Sequence, residues 1–281
     1  MTHSEILKRI ERLGAPGTLP VVAEKINEAV ARESCTPAML ADIIEKDTGL
    51  AARVLKLANS SFYGLSRQVD TILRAITVLG FNMVRDTALT VSVHRLFAGR
   101  QCGGLDVEGL WLHSLACAVA ARVLAGARHA EDAQQAFLGG VLHDIGALLM
   151  VRMFPEETRA LSAARYRPEE LLAAERSALG TTHPELGAIA CEHWRFPAPL
   201  VEVIRRHHQP QQARHAPRAA AAVYAGNEIA KAMGLGVAVS FYVSDIARES
   251  WDLLGIAAAD LPRLVRQIAQ DVDAARELFA G

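Results

Sequence analysis

Apolar residues recur along most of this chain at three- and four-residue spacing, the period of a helix with one buried face. After Thr36-Pro37, where a hydroxyl can cap free amides and proline suits the first helical position, Leu40, Ile43 and Ile44 predict a helix over 37–46. Thr71 can cap a second, with Ile72, Ala75, Ile76 and Leu79 on one face and Gly80 as a left-handed stop. The same pattern predicts Ala-rich helices near 108–126, 134–153, 169–178, 184–194, 198–208, 217–232 and 261–279. Only 237–243 has strand-like composition. The fold class is therefore all-α, a multi-helix bundle.

Two stretches read as boundaries, GRQCGG at 99–104 and MGLGV at 233–237. They divide the chain into an N-terminal helical bundle (1–100), a histidine-bearing helical core (101–235) and a C-terminal helical tail (236–281). No low-complexity segment or 20–50-residue repeat interrupts this order. With 281 residues and 51% hydrophobic content, the chain can bury one large core or two modest ones, which excludes a disordered segment or a small stapled scaffold.

The net charge is −1, and residues 1–100 carry 13 Lys+Arg against 10 Asp+Glu, so no nucleic-acid footprint stands out. The opening MTHSEILKRIERLG places charges where a signal peptide needs its apolar run, and FLGGVLHDIGALLMVRMF is interrupted by His143, Asp144 and Arg152. A cytoplasmic protein without a membrane span is expected. Cys35, Cys102, Cys117 and Cys191 lack CxxC spacing and read as reduced thiols in a core.

Ten histidines carry more information. His143 and Asp144 adjoin inside the apolar VLHDIGALL, where an unpaired carboxylate is costly to bury. A divalent cation would compensate Asp144, and so would hydrogen bonds from an Arg, a His or a helix end. His113 lies in the apolar GLWLHSLACAVAARVL, a setting that also suits a hydrogen-bonded core histidine. His183 precedes Pro184 at a helix start, and His207 and His208 end a helix before Gln209-Pro210. Five histidines and one aspartate can thus meet from four helices, as in dinuclear sites of helical bundles. His3, His94, His129 and His215 lack companions, and His193 reads as packing beside Trp194.

The ordered series His113, His143-Asp144, His183, His207-His208 resembles the HD superfamily of metal-dependent phosphohydrolases. More closely, the chain is similar to the HDOD family through LPVVAEKINEAV (19–30), LADIIEKDTGLAARVLKLANSSFYG (40–64) and TILRAITVLGFNMVRDTAL (71–89). LHSLACAVAA, FLGGVLHDIGALLM, HPELGAIACEHWRFPAPLVEVIRRHHQP and AVYAGNEIAKAMG continue the likeness, which spans roughly residues 15–235. Thr48 stands in DTGL where this family commonly has proline, and Asn59 to Gly64 reads as a helix exit with Gly64 turning the chain.

The resemblance implies an all-α HD-type core within a bacterial signalling or regulatory module, with a signalling protein as partner. It also implies metal ligation by His113, His143, Asp144, His183, His207 and His208, holding one or two ions of Fe, Mn, Zn or Ni. A purely regulatory module requires none. Likeness to the HD-GYP phosphodiesterases places Asp144 between two metals and makes it the residue on which catalysis would centre. Catalytic relatives close the ligand series with an aspartate where this chain has Asn227, a neutral neighbour that brings no charge to a cation. The Gly-rich Tyr-Pro loop of those relatives is replaced by QPQQARHAPR. Arg205 and Arg206 could bind phosphate, or form a solvated face. Two readings follow: a regulatory module with a metal site or its remnant, and an active phosphohydrolase of a nucleotide or phosphodiester. Neither involves nucleic acid or a membrane.

Overall fold

The computed structural model describes residues 1–13, 19–32, 34–60, 65, 67–98, 101–102, 105–164, 166–237, 239–240 and 242–279. The first half of the helical series is α1 (His3–Arg12), α2 (Val21–Val30), α3 (Pro37–Glu45), α4 (Thr48–Ala58), α5 (Ile72–Leu79) and α6 (Phe81–His94). Local chemistry explains their starts. Thr2 and Glu5 cap each other's backbone at α1, and Thr36, Asp47 and Thr71 each accept a backbone N–H three residues on. Thr48 is thereby absorbed in the first turn of α4 behind Asp47. Gly80 has positive φ as expected, but it lies outside the left-handed helical region (φ 94°, ψ 156°) and also opens α6.

Asn59 does more than end α4. Its amide donates to Leu55 O and Val69 O, and its Oδ1 accepts from Val69 N at 2.7 Å, so it ties the chain ten residues ahead to the helix. The expected turn at Gly64 and most of the 99–104 stretch lie outside the described residues.

A two-residue antiparallel ladder, β1 (Gln101–Cys102) with β2 (Leu105–Asp106), precedes α7 (Val107–Gly126). The histidine-bearing half continues with α8 (Ala130–Leu142), α9 (Ile145–Met153), α10 (Pro155–Ala163), α11 (Pro168–Leu179), α12 (His183–His193), α13 (Ala198–Arg206) and α14 (Pro217–Ala232); α15 (Arg248–Leu254) and α16 (Leu261–Phe279) follow. Two readings of the sequence need correction. The helix expected over 134–153 is two helices, broken at His143 and Asp144. The 237–243 stretch forms no strand among the described residues; it belongs to an irregular segment in which Gly236, at φ 73°, lets the backbone lie against α7.

α7 is buried on nearly all sides and forms the axis of the core. α8 crosses it at Gly140, where a Cβ would come within 2.4 Å of Ala118 Cα. α16 covers α7 with Leu264, Ile268, Val272 and Ala275, and the same hydrophobic cluster runs into the N-terminal helices through Ile26, Ile44, Leu50 and Leu89. Two stretches, Val107–Gly126 and Asp132–Met153, are long and apolar enough to cross a membrane, yet 83% and 89% of their most apolar 18-residue windows are buried within this fold. They are core segments here, the second divided between α8 and α9. Cys117 and Cys191 are buried free thiols, whereas Cys35 is half-buried.

Candidate metal centre

Close helix crossings gather the histidines. α9 meets α12 at Gly146, whose Cβ position lies only 1.9 Å from His183 O, so only glycine permits this approach. Leu235 O comes within 3.3 Å of His113 Nδ1, and Val237 N donates to Gly109 O on the same helix. His113, His143, His183 and His207 are wholly buried, Asp144 is 3% exposed, and His208 is half-buried.

The ring nitrogens facing away from the centre are anchored. His143 and His207 each stand just past a helix and each directs Nδ1 to the carbonyl three residues back, Gly140 O and Ile204 O, both at 2.7 Å. These are carbonyls that a helix end leaves free. Glu175, 2% exposed on α11, accepts from both His183 N and His183 Nδ1 at 2.9 Å. With Nδ1 carrying the proton, the Nε2 of each ring presents a lone pair inward when that ring is neutral, as it must be to ligate a metal.

The inward atoms converge on Asp144. Its Oδ2 lies 3.2 Å from His143 Nε2, and its Oδ1 lies 3.6 Å from His183 Nε2 and 3.7 Å from His207 Nε2. His208 Nε2 is 3.0 Å from His183 Nε2. Two donor sets result, His113/His143/Asp144 and His183/His207/His208, each with its ligand atoms within 4.8 Å of one another. Among the described residues no group hydrogen-bonds His143 Nε2 or His207 Nε2; the 3.2 Å approach of Asp144 lacks hydrogen-bonding geometry.

Burial, aided by the charge of His143, holds the His113 imidazole neutral down to about pH 4. Burial also holds His207 and His208 well below the usual histidine range. For His143 burial pulls the same way but the Asp144 carboxylate outweighs it, and for His183 Glu175 does so. Asp144 is kept ionised against its burial chiefly by His143, then by His183 and His207.

The residues present fit a transition metal. Spacings of 3.0 and 3.2 Å between neighbouring donors fall within the edges, about 3.0–3.4 Å, of a polyhedron with metal–ligand distances near 2.1 Å, and those of 3.6 and 3.7 Å lie slightly beyond them. The two orphaned buried nitrogens gain a partner only from such an ion or from water. Asn227 lies with Oδ1 2.9 Å from His113 Nε2 and provides an uncharged contact at that end.

Other candidates stand apart. Arg205 donates to Glu192 at 2.8 Å and Arg206 to Gln212 at 2.5 Å, both on the outer side of α13. His193 is exposed rather than packed beside the buried Trp194. Glu175 went unseen in the sequence, because a glutamate on an Ala-rich helix reads as solvent-facing; its position eight residues before His183 carries no motif.

Comparison with known proteins adds to this geometry. Residues 17–210 match the HDOD domain. The chain belongs to the HDOD family. An uncharacterised protein of Treponema pallidum (strain Nichols) is 26% identical over 196 residues; they make up 68% of this chain but only 37% of that relative. Among solved structures, a candidate phosphohydrolase from Shewanella amazonensis SB2B is 25% identical, with a TM-score of 0.73 and coverage of 97% of both chains. The MmoQ response regulator of Methylococcus capsulatus str. Bath is 28% identical with a TM-score of 0.50, covering 88% of this HDOD chain and 98% of its own.

Proposed function

We propose that this chain is a bacterial signalling or regulatory module whose HD-type core binds a divalent transition metal through His113, His143, Asp144, His183, His207 and His208. The observation that carries the metal assignment is the pair of buried, unpartnered Nε2 atoms of His143 and His207, both turned toward the Asp144 carboxylate. Fe, Mn, Zn and Ni all suit a mixed imidazole and carboxylate set. When bound, such an ion supplies Lewis acidity and a lowered pKa for a coordinated water. The chain's own residues do the rest: Glu175 orients His183, the helix-end carbonyls orient His143 and His207, and the fold excludes water.

Three features favour regulation over turnover. The ligands are almost wholly buried, Asn227 brings no charge to the His113 end, and a 28% identical solved structure is called a response regulator. A signalling protein would be the partner. The second reading, hydrolysis of a nucleotide or phosphodiester, is favoured by the His/Asp series from His113 to His208 and by the relative called a candidate phosphohydrolase.

Elemental analysis of protein purified without a histidine tag tests the metal assignment. Near-stoichiometric Fe, Zn, Mn or Ni is expected in the wild type and is lost in His183→Ala; only trace metal would overturn it. A panel of phosphodiesters and nucleotides with added Mn or Fe tests the choice of function. No turnover is expected, and turnover that disappears in His143→Ala/Asp144→Ala would establish the hydrolase instead.

A further inference from the structure

The N-terminal helices hold the histidine-bearing helices at one particular turn. α12 and α13 form a hairpin whose base carries His183, His207 and His208 and whose tip is the connection 194–197. The tip is built as a helix end in which Phe196 N donates to Cys191 O at 2.9 Å and Arg195 N to Glu192 O at 3.0 Å. Such an end puts one residue, usually glycine, in the left-handed region. Here it is Arg195, at φ 59°, and among the described residues no other non-glycine residue has positive φ. The tip therefore keeps its form against a conformational cost.

Adjacent residues of α2 grip adjacent residues of the tip. Asn27, 5% exposed, donates its amide to Trp194 O at 2.9 Å, and Glu28 lies 3.4 Å from the Arg195 guanidinium. Trp194 is buried, and among the described residues no backbone N–H pairs with its carbonyl, so Asn27 satisfies an acceptor that the turn leaves free. The Glu28 pair is solvated and adds little. Ala23, Ile26 and Ala29 make the buried face of α2 apolar, so the polar residue at 27 answers to the turn.

Beside this contact a cleft of about 680 Å³ opens between α2, α6, α8 and the tip. α2 can shift against the tip there without first displacing packed side chains. The base of the hairpin is crossed tightly: a Cβ on Gly187 would lie 3.1 Å from Gly146 N of α9 and 3.2 Å from Ile204 Cγ2 of α13. A rigid hairpin held there turns about that crossing. Along α13, Ala198 lies about 9 Å before Ile204 and His207 about 4.5 Å beyond it, so a tip shift of about 1 Å moves His207 by roughly 0.5 Å. Ligand sets tolerate little more than that. His183, whose carbonyl is part of the crossing, stays in place.

We propose that the clasp of α2 on this tip lets the N-terminal helices set the position of His207 and His208 relative to His183 and Asp144, and thereby metal affinity, with Asn27 as a positioning residue. The effect on affinity presupposes the metal binding proposed above.

Chelator competition with Zn on the full chain compares wild type, Asn27→Leu and Asn27→Leu/Arg195→Gly under conditions where circular dichroism shows all three folded. Asn27→Leu keeps the size of the side chain and removes its donor, and affinity is expected to fall at least about fivefold. Glycine adopts the left-handed conformation at no steric cost, so adding Arg195→Gly lets the tip keep its form without the clasp and should restore most of the affinity. Asn27→Ser, too short to reach Trp194 O, replaces Asn27→Leu should that variant not fold. Unchanged affinity in the single variant, or a loss that Arg195→Gly does not restore, overturns the clasp. Ring signals of isotope-labelled histidines in the metal-free chain give a reading that needs no metal: those of His207 and His208 should move in Asn27→Leu and return in the double variant. If the wild type binds no Zn, the metal reading fails by itself; moving ring signals would still support the clasp, and fixed ones would overturn it as well.

Discussion

Replacing Gly146 by alanine is the smallest change that tests how the candidate metal centre is assembled. The added Cβ would sit 1.9 Å from His183 O and 2.6 Å from Gly187 N, both backbone atoms of α12. Carbon and oxygen do not approach within 3.0 Å, so α9 and α12 must separate by roughly 1 Å or the chain must bend locally. Overpacking costs about 1–3 kcal/mol, and an obstacle made of backbone cannot rotate away, so the upper part of that range applies. Alanine returns at most about 0.5–1 kcal/mol through helix propensity, and less in a first turn. The net expectation is a loss of about 2 kcal/mol in urea unfolding, together with metal affinity lowered more than about tenfold, because displacements near 1 Å disable ligand constellations. Gly126→Ala is the control: its Cβ meets Ala133 Cβ at an ordinary 3.5 Å, and neutral to slightly raised stability is expected. If Gly146→Ala unfolds within about 0.5 kcal/mol of wild type and keeps its metal, the close crossing does not assemble the site.

Three further outcomes follow from individual contacts. Glu175→Ala removes the acceptor for His183 N and Nδ1, and metal affinity measured by chelator competition should fall about 10–100-fold; unchanged affinity would mean that Glu175 has no role in orienting the ring. Asn227→Asp puts a carboxylate 2.9 Å from His113 Nε2 and should raise metal content at limiting metal concentration, whereas an unchanged content would show that this end takes no ion. His94, packed 4.5 Å from the Trp111 ring, has its pKa lowered to about 4 by burial and then by Arg53. The unfolded chain therefore takes up the proton first as pH falls. The stabilisation is complete above about pH 6.5 and is lost toward pH 4, by about 2 kcal/mol once partial exposure is allowed for, and His94→Gln should remove that part of the pH dependence of urea unfolding.

Much of this architecture was legible in the sequence because caps and apolar period agree. Thr36, Asp47 and Thr71 accept the amides that begin α3, α4 and α5, and the apolar faces behind them are buried. The break at His143 and Asp144 was not legible. Helices α8 and α9 are buried on nearly every side here, so the apolar run carries no phase, and neither residue at the break is a glycine or proline. The 237–243 stretch misled for a related reason: Val237 donates to Gly109 O of α7 rather than to a strand, and side-chain type alone does not supply a pairing partner. The histidines were legible because imidazoles on apolar helices stand out. Glu175 was hidden because its burial is decided by a fold contact with His183 rather than by its own neighbours in sequence.

The centre's position explains why its chemistry and the packing of the fold cannot be separated. His113 comes from α7, His143 and Asp144 from the junction of α8 and α9, His183 from the start of α12, His207 and His208 from the end of α13, and Asn227 from α14. Their backbones meet through contacts as tight as Gly140 on Ala118 and Gly146 on His183, with no soft layer between. Interiors packed this closely respond by moving whole elements rather than by deforming. A change in the spacing of the donors must therefore shift α9, α12 or α13 as a body, and a shift of those helices must alter the donors. A solvent-open catalytic cleft would be weakened by such coupling. A regulatory module, whose output is a change in the arrangement of its helices, is served by it.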